Sequence, residues 1–273
     1  IGHVASGVCS LVAVHLLHLE FDGTNLPFYC GAGIGLIAAL FNLTLPDTPP
    51  AGKGKKGSII DAFGLGTLRL MKDRNFALFI IFSFLSLIPF AMYFSYFSEF
   101  LLNIKTQFIT VTINWGIVAE MGFMLLIPVA IKKYGLRRVM ILGLFAMVVR
   151  YLSLYLGGVI NQQWLFYIGI LVHGLIFGFF FVGGQIYIDK KAPDELKAQA
   201  QGFIFLMTFG LGLLTGNLID GGIISLFTHN SGGVRIYDWD SIWGLTTIFS
   251  IVLLVAFITM FKDEVASAQT PLN

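Results

Sequence analysis

FITVTINWGIVAEMGFMLLIPVAI (residues 108–131) carries a single charge, Glu120, near its centre. An α-helix needs about 20 mostly apolar residues to cross the hydrocarbon core of a bilayer, and this run is long enough. A carboxyl at the middle of such a helix costs roughly 2.5–3.5 kcal/mol on insertion scales. Side chains of that cost usually face a water-filled cavity, a bound solute or a cationic partner. The run therefore reads as a membrane span, and Glu120 as a substrate contact or proton relay, with a protonated carboxyl hydrogen-bonded to a neighbouring helix as the alternative.

Outward from this run, the whole chain reads as an all-α integral membrane protein. Hydrophobic residues are 56% of it and charged residues 12%, against about 25% charged in soluble domains; mean hydropathy is +0.83. Apolar runs are expected at about 1–17, 26–46, 76–102, 108–131, 138–158, 164–188, 199–227 and 242–261. No stretch alternates with period two, which argues against a membrane barrel. The first run, IGHVASGVCSLVAVHLL, has no charged region before it. It reads as the tail of a helix, and the chain as a fragment. Net charge is +2 with no large basic block, so nucleic acid is not an expected partner. Cys9 and Cys30 lie in separate apolar runs and read as buried free thiols. His15 and His18 have no third ligand nearby, so no metal and no cofactor is expected.

The loops give the orientation. Lys53, Lys55, Lys56, Arg69, Lys72 and Arg74 crowd residues 47–75. Lys132, Lys133, Arg137 and Arg138 fill the next turn on that side, and Lys190, Lys191 and Lys197 the one after. The alternate loops hold only Lys105 and Arg235. By the positive-inside rule the basic set is cytoplasmic, and so is the C-terminus. This gives residues 1–46 as the end of one bundle, 47–75 as a cytoplasmic central loop, 76–262 as a six-helix bundle, and 263–273 as a cytoplasmic tail. Within the loop, residues 58–74 pattern as a short amphipathic helix, with Gly64 and Gly66 against it. Six spans after a basic loop match one half of a two-bundle transporter. No long soluble segment interrupts the spans, so an enzyme is not expected.

Arg150, in GLFAMVVRYLSLYLGG, is the second deep charge. Its helix follows that of Glu120 after a short turn, so the two can meet as an ion pair or as part of a gate. His173 and Phe177 are four apart and share a helix face; an aromatic with a polar handle suits a ring such as a nucleobase, and packing explains the pair equally well. Gly174, Gly178, Gly183 and Gly184 signal close helix approach. Pro89 interrupts the 76–102 run, and Tyr93, one turn on, needs a polar partner at that depth. Glu99, Asn217 and Asp220 read as solvated outer helix ends.

HGLIFGFFFVGGQIYIDKKAPDELKAQAQG (173–202) resembles the tenth helix and following loop of bacterial nucleoside:proton symporters of the major facilitator superfamily. PFYCGAGIGLIAALFNLTLPDTP (27–49), AEMGFMLLIPVAIKKYGLRRVMILG (119–143) and the last span agree in the same order. The resemblance implies a twelve-helix, two-bundle fold with alternating access, of which this chain covers late helix 5 onward. It implies nucleoside and proton as transported partners, a bacterial cytoplasmic membrane and a monomer. Glu120 falls on the family's substrate-binding glutamate, His173 and Phe177 on its aromatic pair, and Arg150 on a matching arginine; Glu120, whose protonation would couple to the inward–outward switch, and Arg150 are the residues expected to serve proton coupling or gating. Tyr93 and Phe94 join the binding face, and His3 is the position from the first bundle. An aspartate tied to proton coupling in relatives is replaced by Gly178, and amides by Ile117, Ala91 and Phe94. A sugar or other polar-solute carrier, and a non-transporting receptor, are the alternatives.

Overall fold

The computed structural model describes residues 2–21, 24–46 and 64–262 of the 273. Eight helices run through them: α1 (Gly2–His15), α2 (Leu26–Asn42), α3 (Arg74–Asn103), α4 (Ile109–Tyr134), α5 (Leu136–Val159), α6 (Trp164–Lys191), α7 (Asp194–Leu226) and α8 (Trp239–Met260). The last six are long and apolar enough to cross a membrane. The central loop before residue 64, the tail at 263–273 and the side chain of His3 lie outside the described residues; His3 itself falls within α1.

The boundaries have local causes. The Asp73 carboxylate caps α3 by accepting from the Phe76 N–H at 2.9 Å, and Asp238 caps α8 by accepting from the Ser241 N–H at 3.1 Å. Each satisfies a first-turn amide that has no partner within its helix. Gly135, at φ 79°, makes the tight turn between α4 and α5. In the basic turn that follows, Arg137 donates to the carbonyls of Phe261 at 2.8 Å and Ile258 at 2.6 Å. A cation thus sits on the otherwise unsatisfied end of α8, where the helix dipole favours it.

Helices in lipid associate by packing and hydrogen bonding rather than by escape from water. The core is accordingly dense with rings and small residues. Phe76, Phe79, Phe90, Phe97, Tyr151 and Trp243 are all buried within it. Among the six spans, α3 is the most enclosed, with 72% of its apolar window buried, and α4, which carries Glu120, the least, at 17%. So α3 is the axle of the bundle and α4 an outer wall. α8 lies along α5 and α3, α7 along α3, and α1 along α4. α2 touches α1 and buries no residue.

Three features depart from the sequence reading. Residues Leu65–Lys72 form a 3-10 helix rather than part of an α-helix. Gly64 before it holds φ 64°, and a Cβ there would meet the Gln199 carbonyl and the Phe203 nitrogen, so the segment docks against the start of α7. α6 and α7 each widen into a π-helical stretch, Ile176–Val182 and Leu206–Gly212. The connection before α8 is an antiparallel hairpin, Thr228–Ser231 with Val234–Tyr237. Its Gly232-Gly233 turn has φ 60° and 84°, the positive pair that a two-residue hairpin turn requires. Cys9 and Cys30 are free but only half-buried.

Candidate functional site

Two glycines create the site by letting α4 and α6 touch. A Cβ on Gly174 would collide with the Glu120 backbone, and one on Gly116 would lie 3.0 Å from the Ile170 carbonyl and 3.3 Å from the His173 Cβ. With both bare, Glu120 and His173 face each other at the crossing. His173 Nε2 lies 3.4 Å from Glu120 Oε2.

Arg150 closes the arrangement from α5. Its Nη2 is 2.8 Å from His173 Nδ1, and its Nε donates to the Gly169 carbonyl at 3.0 Å. A guanidinium has only donors, so Nδ1 is the acceptor and the imidazole is the neutral tautomer, with its Nε2–H turned to Glu120. The guanidinium carbon also sits 4.0 Å above the ring of Tyr93, a cation–π contact with the ring face. Arg150 is 0% exposed. Glu120 and Arg150 therefore meet through His173 and not as a direct pair. The result is a chain, Tyr93–Arg150–His173–Glu120, whose carboxyl end is partly open, with 16% of that side chain exposed.

Beside the chain lies a cavity of about 70 Å³ lined by Tyr93, Phe94, Phe97, Ser98, Ile113, Ile117 and His173. Phe177 is half-buried and lies outside this lining; its ring stacks 6.4 Å from that of His173. Phe94 is 55% exposed at the cavity edge. Ala91 faces away, packed where a Cβ on Gly216 would lie 2.9 Å from its own. Gly178 packs beside Ile127, 3.2 Å from where its Cβ would be.

Two residues of this region escape a reading by sequence. Phe90 is buried at the hub of the rings, 4.8 Å from Phe94, 6.0 Å from His173 and 4.9 Å from Phe181. Nothing in a Phe-rich run distinguishes it. Asp220 is the second and corrects an expectation: it is 1% exposed rather than solvated. The signal was available in the four-residue spacing of Thr208, Gly212, Gly216 and Asp220, which places all four on one buried face of α7.

Comparisons with known proteins follow the same lines. The family model described as nucleoside H+ symporter matches residues 1–266. The chain is 32% identical over 271 residues to YegT of Escherichia coli (strain K12), covering 97% of this chain and 63% of that protein. It is 28% identical over 253 residues to the nucleoside permease NupG of the same organism, covering 89% and 60%. A crystal structure of the nucleoside transporter NupG, in a single-substitution variant, superposes with a TM-score of 0.76 at 28% identity, covering 95% of this chain and 65% of that one. The chain thus spans less than two thirds of the length of these relatives. The six spans have the major facilitator fold of that transporter, and with residues 1–266 matched, the chain belongs to the nucleoside H+ symporter family.

Proposed function

We propose that the protein carries nucleosides across the bacterial cytoplasmic membrane together with protons, by alternating access, as a monomer with its C-terminus in the cytoplasm. The observation that carries this reading is the Arg150–His173–Glu120 chain ending on a half-open carboxyl beside an aromatic cavity. A nucleoside has a ribose rich in hydroxyl donors and a flat base. The hydroxyls donate to Glu120, while the base lies on Tyr93, Phe94 and the His173–Phe177 face. His3, on α1, is the first-bundle position expected to join them. Arg150 is fixed by two acceptors and a ring, and it acts as the gate by holding His173 against Glu120 or releasing it. Two Escherichia coli relatives bear the names nucleoside permease and xanthosine permease, which supports the substrate class.

Uptake of labelled uridine by cells expressing the native protein tests the reading. Unlabelled adenosine should compete, and free ribose or glucose should not. The sugar reading draws on one observation, the apolar Ile117 and Phe94 in the cavity wall; competition by the free sugars but not by adenosine would establish it instead.

A further inference from the structure

Asp220 is a buried acid outside the Glu120 site. It is 1% exposed, and neither carboxyl oxygen has a hydrogen-bond partner among the described residues. It lines a cavity of about 190 Å³ with Ile88, Pro89, Ile219, Ile223, Leu245, Thr246 and Phe249. The burial is built by the helix face it stands on. A Cβ on Gly216, one turn before it, would lie 2.8 Å from the Leu87 carbonyl, and one on Gly212 would lie 3.1 Å from the Leu87 side chain. α7 is thereby pressed onto α3 next to Pro89. Asp220 is only about 9 Å from the end of its helix at 1.5 Å per residue, yet the packing seals it.

An ionised carboxyl without donors in apolar surroundings is costly, and a protonated one, which brings its own donor, much less so. Ionisation here thus requires water to enter and the α3–α7 contact to loosen. The cavity also connects to the first site. The Tyr151 hydroxyl donates to the carbonyl of Pro89, which lines the cavity, and Tyr151 follows Arg150 in α5. Of the titratable groups nearby, the Tyr96 hydroxyl of α3 lies 3.7 Å from where a Cβ on Gly221, the residue after Asp220, would be, and Tyr151 of α5 reaches Pro89 in the cavity wall. From α8 the cavity receives Leu245, Thr246 and Phe249, none of them titratable.

We propose that Asp220 is a proton-binding site of this protein: its carboxylate takes up one proton from the outer side when the α3–α7 contact opens and releases that proton to the cytoplasm. This deepens and rests on the transport reading, assigning the coupled proton to Asp220 and leaving Glu120 to hold the solute.

The proton site can be tested apart from transport. pH-difference infrared spectra of the purified native protein should show a protonated-carboxyl C=O stretch that titrates. That band should be absent in Asp220→Asn, shifted in Asp220→Glu and retained in Glu120→Gln. For one proton per solute, one pH unit supports about tenfold accumulation, so in Asp220→Asn the ratio of pH-driven uridine accumulation to uridine exchange should fall about tenfold. A titrating band unchanged by both Asp220 variants, or native pH-driven accumulation in Asp220→Asn, overturns the proposal. If Asp220→Asn does not fold, the band shift in Asp220→Glu decides. An Asp220 band in a protein that moves no nucleoside supports the proton site and rejects the transport reading.

Discussion

Arg150 holds its neighbours in place more than they hold it. It supplies the donor to His173 Nδ1 and to the Gly169 carbonyl, and the cation over Tyr93. Arg150→Met removes all three inside a sealed core and should destabilise the protein by about 3–5 kcal/mol, the usual cost of breaking a buried charged network. Thermal unfolding in detergent measures this. Arg150→Lys should recover only part of the loss, because one ammonium cannot reproduce the fork that meets two acceptors at once. That Glu120 stands deep in a span was legible from a lone charge in an apolar run, and that His173 and Phe177 share a helix face was legible from their spacing. That His173 would stand between Arg150 and Glu120 was not legible: it depends on the crossing of three helices, whereas spacing speaks only within one. Asp220 was misread for another reason: its distance from the helix end suggests water, while its four-residue spacing from Gly216 and Gly212 carried the opposite signal.

At the scale of elements, contact between α4 and α6 sets the site. Gly174→Ala puts a Cβ into the Glu120 backbone, and should cost about 1–3 kcal/mol as the helices part. Gly183, in the same helix, has its nearest neighbour, Met140, at 3.5 Å from a built Cβ; Gly183→Ala should stay within about 0.5 kcal/mol. Chemical unfolding of the two variants side by side checks the contrast. The glycine-rich run in α6 announced close packing without saying which residue does it. The positions of the last six spans were legible because hydropathy is a property of single segments; the 26–46 run, expected as a full span, forms the 17-residue helix α2, shorter than those six. The hairpin had a signal in Ser-Gly-Gly-Val, a Gly-Gly pair between two short runs, which the polar character of the loop obscured. The π-helical widening of α6 and α7 leaves no mark in composition.

At the scale of the whole molecule, the bundle is tied at the end that bears its basic loops and left open along α4. Asp73, the α3 cap, pairs with Lys191 at the end of α6 at 2.7 Å. Partial burial works against its charge, but the Lys191 ammonium and the Phe76 N–H outweigh this and hold its carboxyl below the usual range. A lowered folded-state value means a contribution to stability that is present above the unfolded value of about 3.9 and lost as pH falls through the folded one. Native protein and Asp73→Asn should therefore differ in melting temperature near neutral pH and converge in acid; parallel curves down to low pH would show that the pair does not link α3 to α6. On the proposed function, the solute is held at Glu120. Exchange of labelled uridine across vesicles containing native protein or Glu120→Gln tests that claim most directly, because exchange needs the binding site and no proton gradient. The account predicts a loss of about 10- to 100-fold in Glu120→Gln, the worth of a hydrogen bond to a charged group; exchange at the native rate would contradict it.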